Sequence, residues 1–190
     1  MFREYQALVT KVEAFARDVA QRQPDALTCH AGCASCCAVS LTVSPLEAAS
    51  IRTGLQKLAP KVRAELSKRG REALERAERG ESPARCAMLD DDGRCAIYEH
   101  RPMVCRTQGH ALRYPAGFVP AAAVRKRVAG GEVVHCPLNY QDVSPSPADV
   151  LDAERVDQIL AVVALRFASD HGLDPHERTE IARLAFDGAC

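Results

Sequence analysis

The chain has 190 residues, 25 basic and 25 acidic side chains, and formal net charge zero. That balance argues against a generally basic nucleic-acid binder, and 47% apolar with 26% charged residues is globular rather than disordered composition. The longest apolar run, Ile159 to Leu165, is too short to span a bilayer.

Residues 2–22 place Phe2, Tyr5, Leu8, Val9, Val12, Phe15 and Val19 at helical spacing, with charged residues on the other face and Pro24 as a stop. This charged start reads as a helix on the core and not as a signal peptide. Ser44-Pro45-Leu46-Glu47 predicts a capping box and a helix through Ile51, Leu55 and Leu58. Pro60 opens another helix to about Gly80, with Gly70 as a weak point inside it. Residues 81–146, with six prolines and five glycines, read as irregular, with one short strand at 131–136. Ser146-Pro147-Ala148-Asp149 repeats the helix-start logic ahead of an apolar face of Val156, Ile159, Leu160, Val163 and Phe167. Asp174-Pro175-His176-Glu177 starts a last helix with Ile181 and Leu184, ended by Gly188. The expected fold is a single mostly α domain over 1–190. Helices at 1–24 and 147–187 flank an irregular cysteine-rich metal-binding core at 29–136, with at most a short strand pair. On this reading the flanking helices supply the apolar core that the middle lacks, and metal holds the middle together.

Nine cysteines in a chain read as cytoplasmic need a chemical reason, because disulfides are rare in reducing compartments. A metal or iron–sulfur site is preferred over redox disulfides and over buried thiols. Cys29, Cys33, Cys36 and Cys37 form one compact cluster, and Cys33-x2-Cys36 can converge on one ion. Adjacent Cys36 and Cys37 are expected to diverge and to serve two ions or two corners of a cluster. Cys86, Cys95, Cys105 and Cys136 form a looser second group. Eight thiols allow two four-cysteine zinc sites, or one iron–sulfur cluster with accessory thiols, and the two groups are expected to converge. Cys190 is read as an incidental terminal thiol.

Between Arg101 and Gly131 there are six basic residues, Arg101, Arg106, Arg113, Arg125, Lys126 and Arg127, and no acidic one. Arg101 and Arg106 are nominated to compensate the thiolates near Cys105; the alternative is an anionic ligand or partner. His30, His100, His110 and His135 could each replace a thiol, although surface roles are the simpler reading. Asp90-Asp91-Asp92-Gly93 reads as a tight turn, lacking the spacing of a calcium loop. Tyr98, Arg101 and Pro102 read as residues that shape the loop.

The first cluster, Cys86-Ala-Met-Leu, and Gly93-Arg-Cys95-Ala-Ile-Tyr-Glu-His-Arg101-Pro102-Met-Val-Cys105-Arg106 together resemble the YkgJ family, the CxxCxxCC zinc- or iron-chelating domain proteins. The resemblance spans about residues 29–136, with Cys29-x3-Cys33 as a departure from the two-residue gap in the family's name. It implies zinc or iron, including an iron–sulfur cluster, on Cys29, Cys33, Cys36, Cys37, Cys86, Cys95, Cys105 and Cys136. Function then divides between a structural or adaptor protein and an iron–sulfur oxidoreductase or electron-transfer protein, with an unnamed protein partner. No phosphate-loop, dinucleotide, serine-hydrolase or His-Glu-x-x-His motif is present, so no catalytic residue is nominated.

Overall fold

The computed structural model describes residues 2–82, 85–115, 117–118, 124–128 and 131–188. Cys190 lies outside the described residues, as do the side chains of Arg125 and Arg127. Helices dominate, as the periodicity predicts: α1 (Arg3–Arg22), α2 (Pro45–Gln56), α3 (Pro60–Glu78), α4 (Met103–Thr107), α5 (Ala153–Asp170) and α6 (Ile181–Asp187). The strands are short: β1 (Thr42–Val43), β2 (Ala111–Arg113), β3 (Val124–Val128), β4 (Gly131–His135), β5 (Val150–Asp152) and β6 (Thr179–Glu180). The chain groups into two compact units and passes between them after Cys29, after Pro102 and, within α5, after Val163.

The first unit comprises His30–Pro102 and Ala164–Cys190. Its core joins Val43, Ile51, Leu55 and Leu66 to Ile181 and Leu184 of α6. Ala87, Met88 and Ile97, from the stretch read as irregular, are buried in the same cluster. This corrects the expectation that the middle of the chain lacks core residues, because a few well-placed apolar side chains between cysteines suffice. Antiparallel β1 and β6, pairing Thr42 with Glu180 and Val43 with Thr179, close the unit. Helix α3 runs unbroken through Gly70. A Cβ there would lie 2.6 Å from the Ala182 carbonyl oxygen and the Phe186 nitrogen, so glycine lets α6 approach closely. The last helix begins at Ile181 after Glu180 and not at Asp174, whose carboxylate instead accepts the His176 N–H in a turn.

The second unit comprises Phe2–Cys29 and Met103–Val163. Helix α1 buries Tyr5, Leu8, Val9, Val12 and Val19, most of the predicted stripe. A four-stranded sheet runs in the order β3-β4-β2-β5. The predicted strand at 131–136 is β4. Its antiparallel neighbours are β3, from Val124 opposite His135 to Val128 opposite Gly131, and β2, with Leu112 opposite Val134. Strand β5 adds in parallel, pairing Ala111 with Val150 and Leu112 with Leu151. The Ser146/Asp149 capping box does form, but it opens a single 3-10 turn, Pro147–Asp149. Pairing with β2 then claims residues 150–152 before α5 begins at Ala153. Asp149 is buried and accepts hydrogen bonds from Arg22 and Gln23 at the end of α1. On α5, Val156 and Phe167 are buried as read, whereas Ile159 is 42% exposed.

Ser44 caps α2 as predicted. Its hydroxyl accepts the Glu47 N–H, and the Glu47 carboxylate accepts the Ser44 N–H, with both residues buried. Ser44→Ala is expected to cost about 1–2 kcal/mol, at the upper end for an N-cap because Glu47 is left with fewer partners. Urea unfolding followed by circular dichroism checks this; an unchanged midpoint refutes it.

Candidate metal centre

Two successive tight turns fold the first cysteine cluster. The Cys33 N–H donates to the His30 carbonyl at 3.0 Å and the Cys37 N–H to the Ala34 carbonyl at 2.9 Å. The second turn brings the sulfurs of Cys36 and Cys37 to 4.0 Å. The expected divergence is therefore wrong. Adjacent side chains alternate along an extended strand, but a tight turn can present both to one side.

Cys86 joins this group through the backbone, its N–H donating to the Cys37 carbonyl at 2.6 Å. The sequence halves thus meet inside the first unit, at Cys37 and Cys86. Cys95 follows through a β-bridge of Leu89 with Cys95, reinforced by the Ala96 N–H on the Met88 carbonyl at 2.9 Å. The acidic turn reverses the chain as predicted: the Asp90 carboxylate accepts the Arg94 N–H at 2.7 Å, and the Gly93 N–H donates to the Asp90 carbonyl at 3.2 Å. Arg69 of α3 pins the turn from outside, donating to the Leu89 carbonyl and the Asp91 carboxylate at 2.6 Å each.

Electrostatics describe the same gathering. The neighbouring Cys37 thiol, and then loss of water around the sulfur, push the Cys36 thiol far up, while the charge of Arg101 opposes the rise. Burial pushes the Cys86 thiol up, and the charges that Cys95 and Cys36 would carry push it further. Sulfurs packed in this way ionise poorly one beside another, and a cation among them reverses that balance. Arg101 lies over the Tyr98 ring, its guanidinium carbon 3.9 Å from the ring centroid, so Tyr98 carries the arginine that the sequence nominated.

The second unit holds the other three predicted cysteines, Cys29, Cys105 and Cys136. Cys105 is half-buried on α4. Arg106, beside it, is buried and pairs with Glu13 of α1. Cys29 and Cys136 flank one point: a Cβ built on Gly109 would lie 3.2 Å from the Cys29 sulfur and 4.0 Å from the Cys136 Cβ. None of the eight is disulfide-bonded. Among the described residues, no group of three or more His, Cys, Asp or Glu side chains is placed to hold a metal ion.

The histidines separate by environment. His30 is exposed beside the Ala31 carbonyl, and His100 lies between Ser50 and Lys57, at 3.5 and 3.0 Å. His110 packs edge-on against Phe15. His135 is buried, its Nδ1 2.8 Å from the Cys136 carbonyl oxygen and its ring edge-on to Tyr140. Burial pushes the Tyr140 phenol up to about 12. Sequence reasoning missed Gly32, Gly109 and Asn139. The only available signal was the proximity of Gly32 and Asn139 to cysteines in the chain.

Residues 28–130 match the model of the CxxCxxCC family, whose description is "putative zinc- or iron-chelating domain". The matched segment contains seven of the eight cysteines and ends before Cys136. Neither the curated proteins nor the solved structures contain a match.

Two loops of the first unit touch glycine to glycine. Gly93 has φ +76°, and a Cβ on it would lie 2.9 Å from the Gly32 carbonyl oxygen. Gly93→Ala is expected to destabilise the protein by about 1–3 kcal/mol, combining backbone strain with the clash. Because the same contact seats the loops carrying Cys33 and Cys95, metal retention should also fall. Thermal unfolding and metal analysis of one sample check both, and wild-type values for both refute the role.

Proposed function

The matched segment covers more than half of the chain, so the protein belongs to the CxxCxxCC family, and we propose that it is a chelator of zinc or iron in which the eight cysteines are the ligands. Cys36, Cys37, Cys86 and Cys95 form the main centre, with Cys33 on the turn that precedes them. Cys29, Cys105 and Cys136 serve the second unit. Arg101 offsets thiolate charge in the first unit.

One observation carries this reading: the 4.0 Å separation of the Cys36 and Cys37 sulfurs. Two thiolates sharing a tetrahedral zinc at ~2.3 Å from each sulfur lie about 3.8 Å apart. An all-sulfur donor set suits zinc and iron–sulfur clusters and disfavours magnesium or calcium. Zinc would supply structural cross-linking, whereas an iron–sulfur cluster would add one-electron chemistry. The chain's own contribution is to hold the sulfurs in place through the Cys86–Cys37 backbone bond and the 90–94 turn, and to place Arg101 near them. The structural or adaptor role is favoured over the oxidoreductase role because four cysteines can close a coordination shell. A reducing, cytoplasmic setting suits eight thiols.

Anaerobic purification followed by elemental analysis, sulfide assay and absorption spectroscopy tests the metal. Brown protein with iron and acid-labile sulfide identifies a cluster; colourless protein with zinc identifies a structural site. Cys36→Ser and Cys86→Ser should each lose metal from the first unit, and Cys105→Ser from the second, whereas Cys190→Ser should keep it. Full retention in both Cys36→Ser and Cys86→Ser overturns the main centre. Chelation should lower the melting temperature and open residues 81–95 to protease, because ligand binding to the folded state alone adds to its stability. Unchanged melting after verified metal removal overturns the structural role.

A further inference from the structure

Asn139 lies on the turn that follows Cys136, beyond the family-matched segment, and is 1% exposed. Its side chain makes contacts far apart in sequence. Oδ1 accepts the Thr28 backbone N–H and the Thr28 hydroxyl, both at 3.0 Å. Nδ2 donates to the Gly109 carbonyl at 2.8 Å and to the Cys29 sulfur at 3.4 Å. A backbone N–H can only donate and a carbonyl can only accept, so this arrangement fixes which end of the amide faces the sulfur. A protonated Cys29 could reach Oδ1 only over a longer path, 3.7 Å. As a thiolate, the sulfur is purely an acceptor, and Nδ2 is the donor that serves it.

The surrounding backbone keeps this geometry tight. The Tyr140 N–H donates to the Ala26 carbonyl at 2.7 Å and the Asn139 N–H to the Cys136 carbonyl at 3.0 Å, while the Thr28 hydroxyl shares its one proton between Asn139 Oδ1 and the Leu138 carbonyl, 2.9 Å away. Residues 136–140 thereby clamp 26–29. Gly109 has φ +97°, and a Cβ there would lie 3.1 Å from Nδ2 and 3.2 Å from the Cys29 sulfur, so any other side chain would crowd the pair. Cys29 itself remains exposed.

We infer that Asn139 is a positioning residue for Cys29: its Nδ2–H group hydrogen-bonds the Cys29 thiolate, orients it as a metal ligand beside Cys136, and tunes its donor strength. This rests on the proposed ligand role of Cys29. Hydrogen-bond partners of metal ligands commonly change metal affinity about 10–100-fold when removed.

The test uses the full chain loaded with cobalt(II), whose sulfur-to-metal charge-transfer band reports thiolate donation. Asn139→Asp keeps the size and the acceptors for Thr28 but removes the Nδ2 donor. Asn139→Ala removes both. Expected results are a band shifted to lower energy and cobalt affinity reduced about 10–100-fold in each. Thr28→Val loosens the clamp without touching the Nδ2–sulfur bond, and should leave the band energy in place even if the protein melts earlier. Circular dichroism confirms folding, and Asn139→Asp decides if Asn139→Ala does not fold. Cys29→Ser should lower the band intensity. Loss of intensity in Cys29→Ser with an unmoved band in Asn139→Asp overturns the inference and leaves the ligand reading standing. Unchanged intensity and affinity in Cys29→Ser overturn Cys29 as a ligand, and the inference with it. A Thr28→Val shift equal to that of Asn139→Asp overturns the specific role of Asn139.

Discussion

Sulfurs brought close together resist ionising, because each negative charge raises the cost of the next and burial removes the water that would offset it. The first unit nevertheless holds Cys36 and Cys37 at 4.0 Å and ties the backbone of Cys86 to Cys37. Much of the surrounding structure serves to maintain that gathering. Two tight turns curl residues 30–37, the Asp90 turn folds Cys95 back toward Leu89, and Arg69 fastens that turn to α3. Helix α3 is held by α6, which the small Gly70 allows to approach.

The two units handle sulfur differently. In the first, five cysteines share one segment, and the positive charge of Arg101 acts on Cys36 from a platform on Tyr98. In the second, a neutral amide faces Cys29, and Arg106, next to Cys105 in the chain, pairs with Glu13. A full charge offsets a thiolate over several ångströms, whereas an amide acts only at contact and with direction. Placement by Asn139 therefore depends on the clamp between residues 136–140 and 26–29 in a way that Arg101 does not depend on its own exact position.

The legible features of the sequence were those whose signal is local. Apolar spacing marked α1, the Ser44/Glu47 box marked α2, and the acidic run marked its turn. Local signals misled where a distant strand competed. The Ser146/Asp149 box forms, yet Val150 and Leu151 pair with β2 before any α-helix can begin. Asp174-Pro175 resembles a helix start, but pairing of Thr179 and Glu180 with β1 delays α6 to Ile181. The cysteine pattern carried the family resemblance without announcing its spatial grouping, since Cys29 and Cys33 belong to different units although only three residues separate them. Asn139 was invisible for the same reason: its partners Gly109 and Thr28 are 30 and 111 residues away in the chain.

The first unit is discontinuous, since residues 30–102 acquire β6 and α6 only from the far end of the chain. During synthesis at about 5–20 residues per second, the five cysteines of residues 30–102 precede α6 by several seconds. Over that interval Ile51, Leu55 and Leu66 lack Ile181 and Leu184, their partners in the finished core. The cysteines of residues 30–102 are therefore made before the core that surrounds them is complete. Completion of that core is a matter of timing, set by when α6 leaves the ribosome.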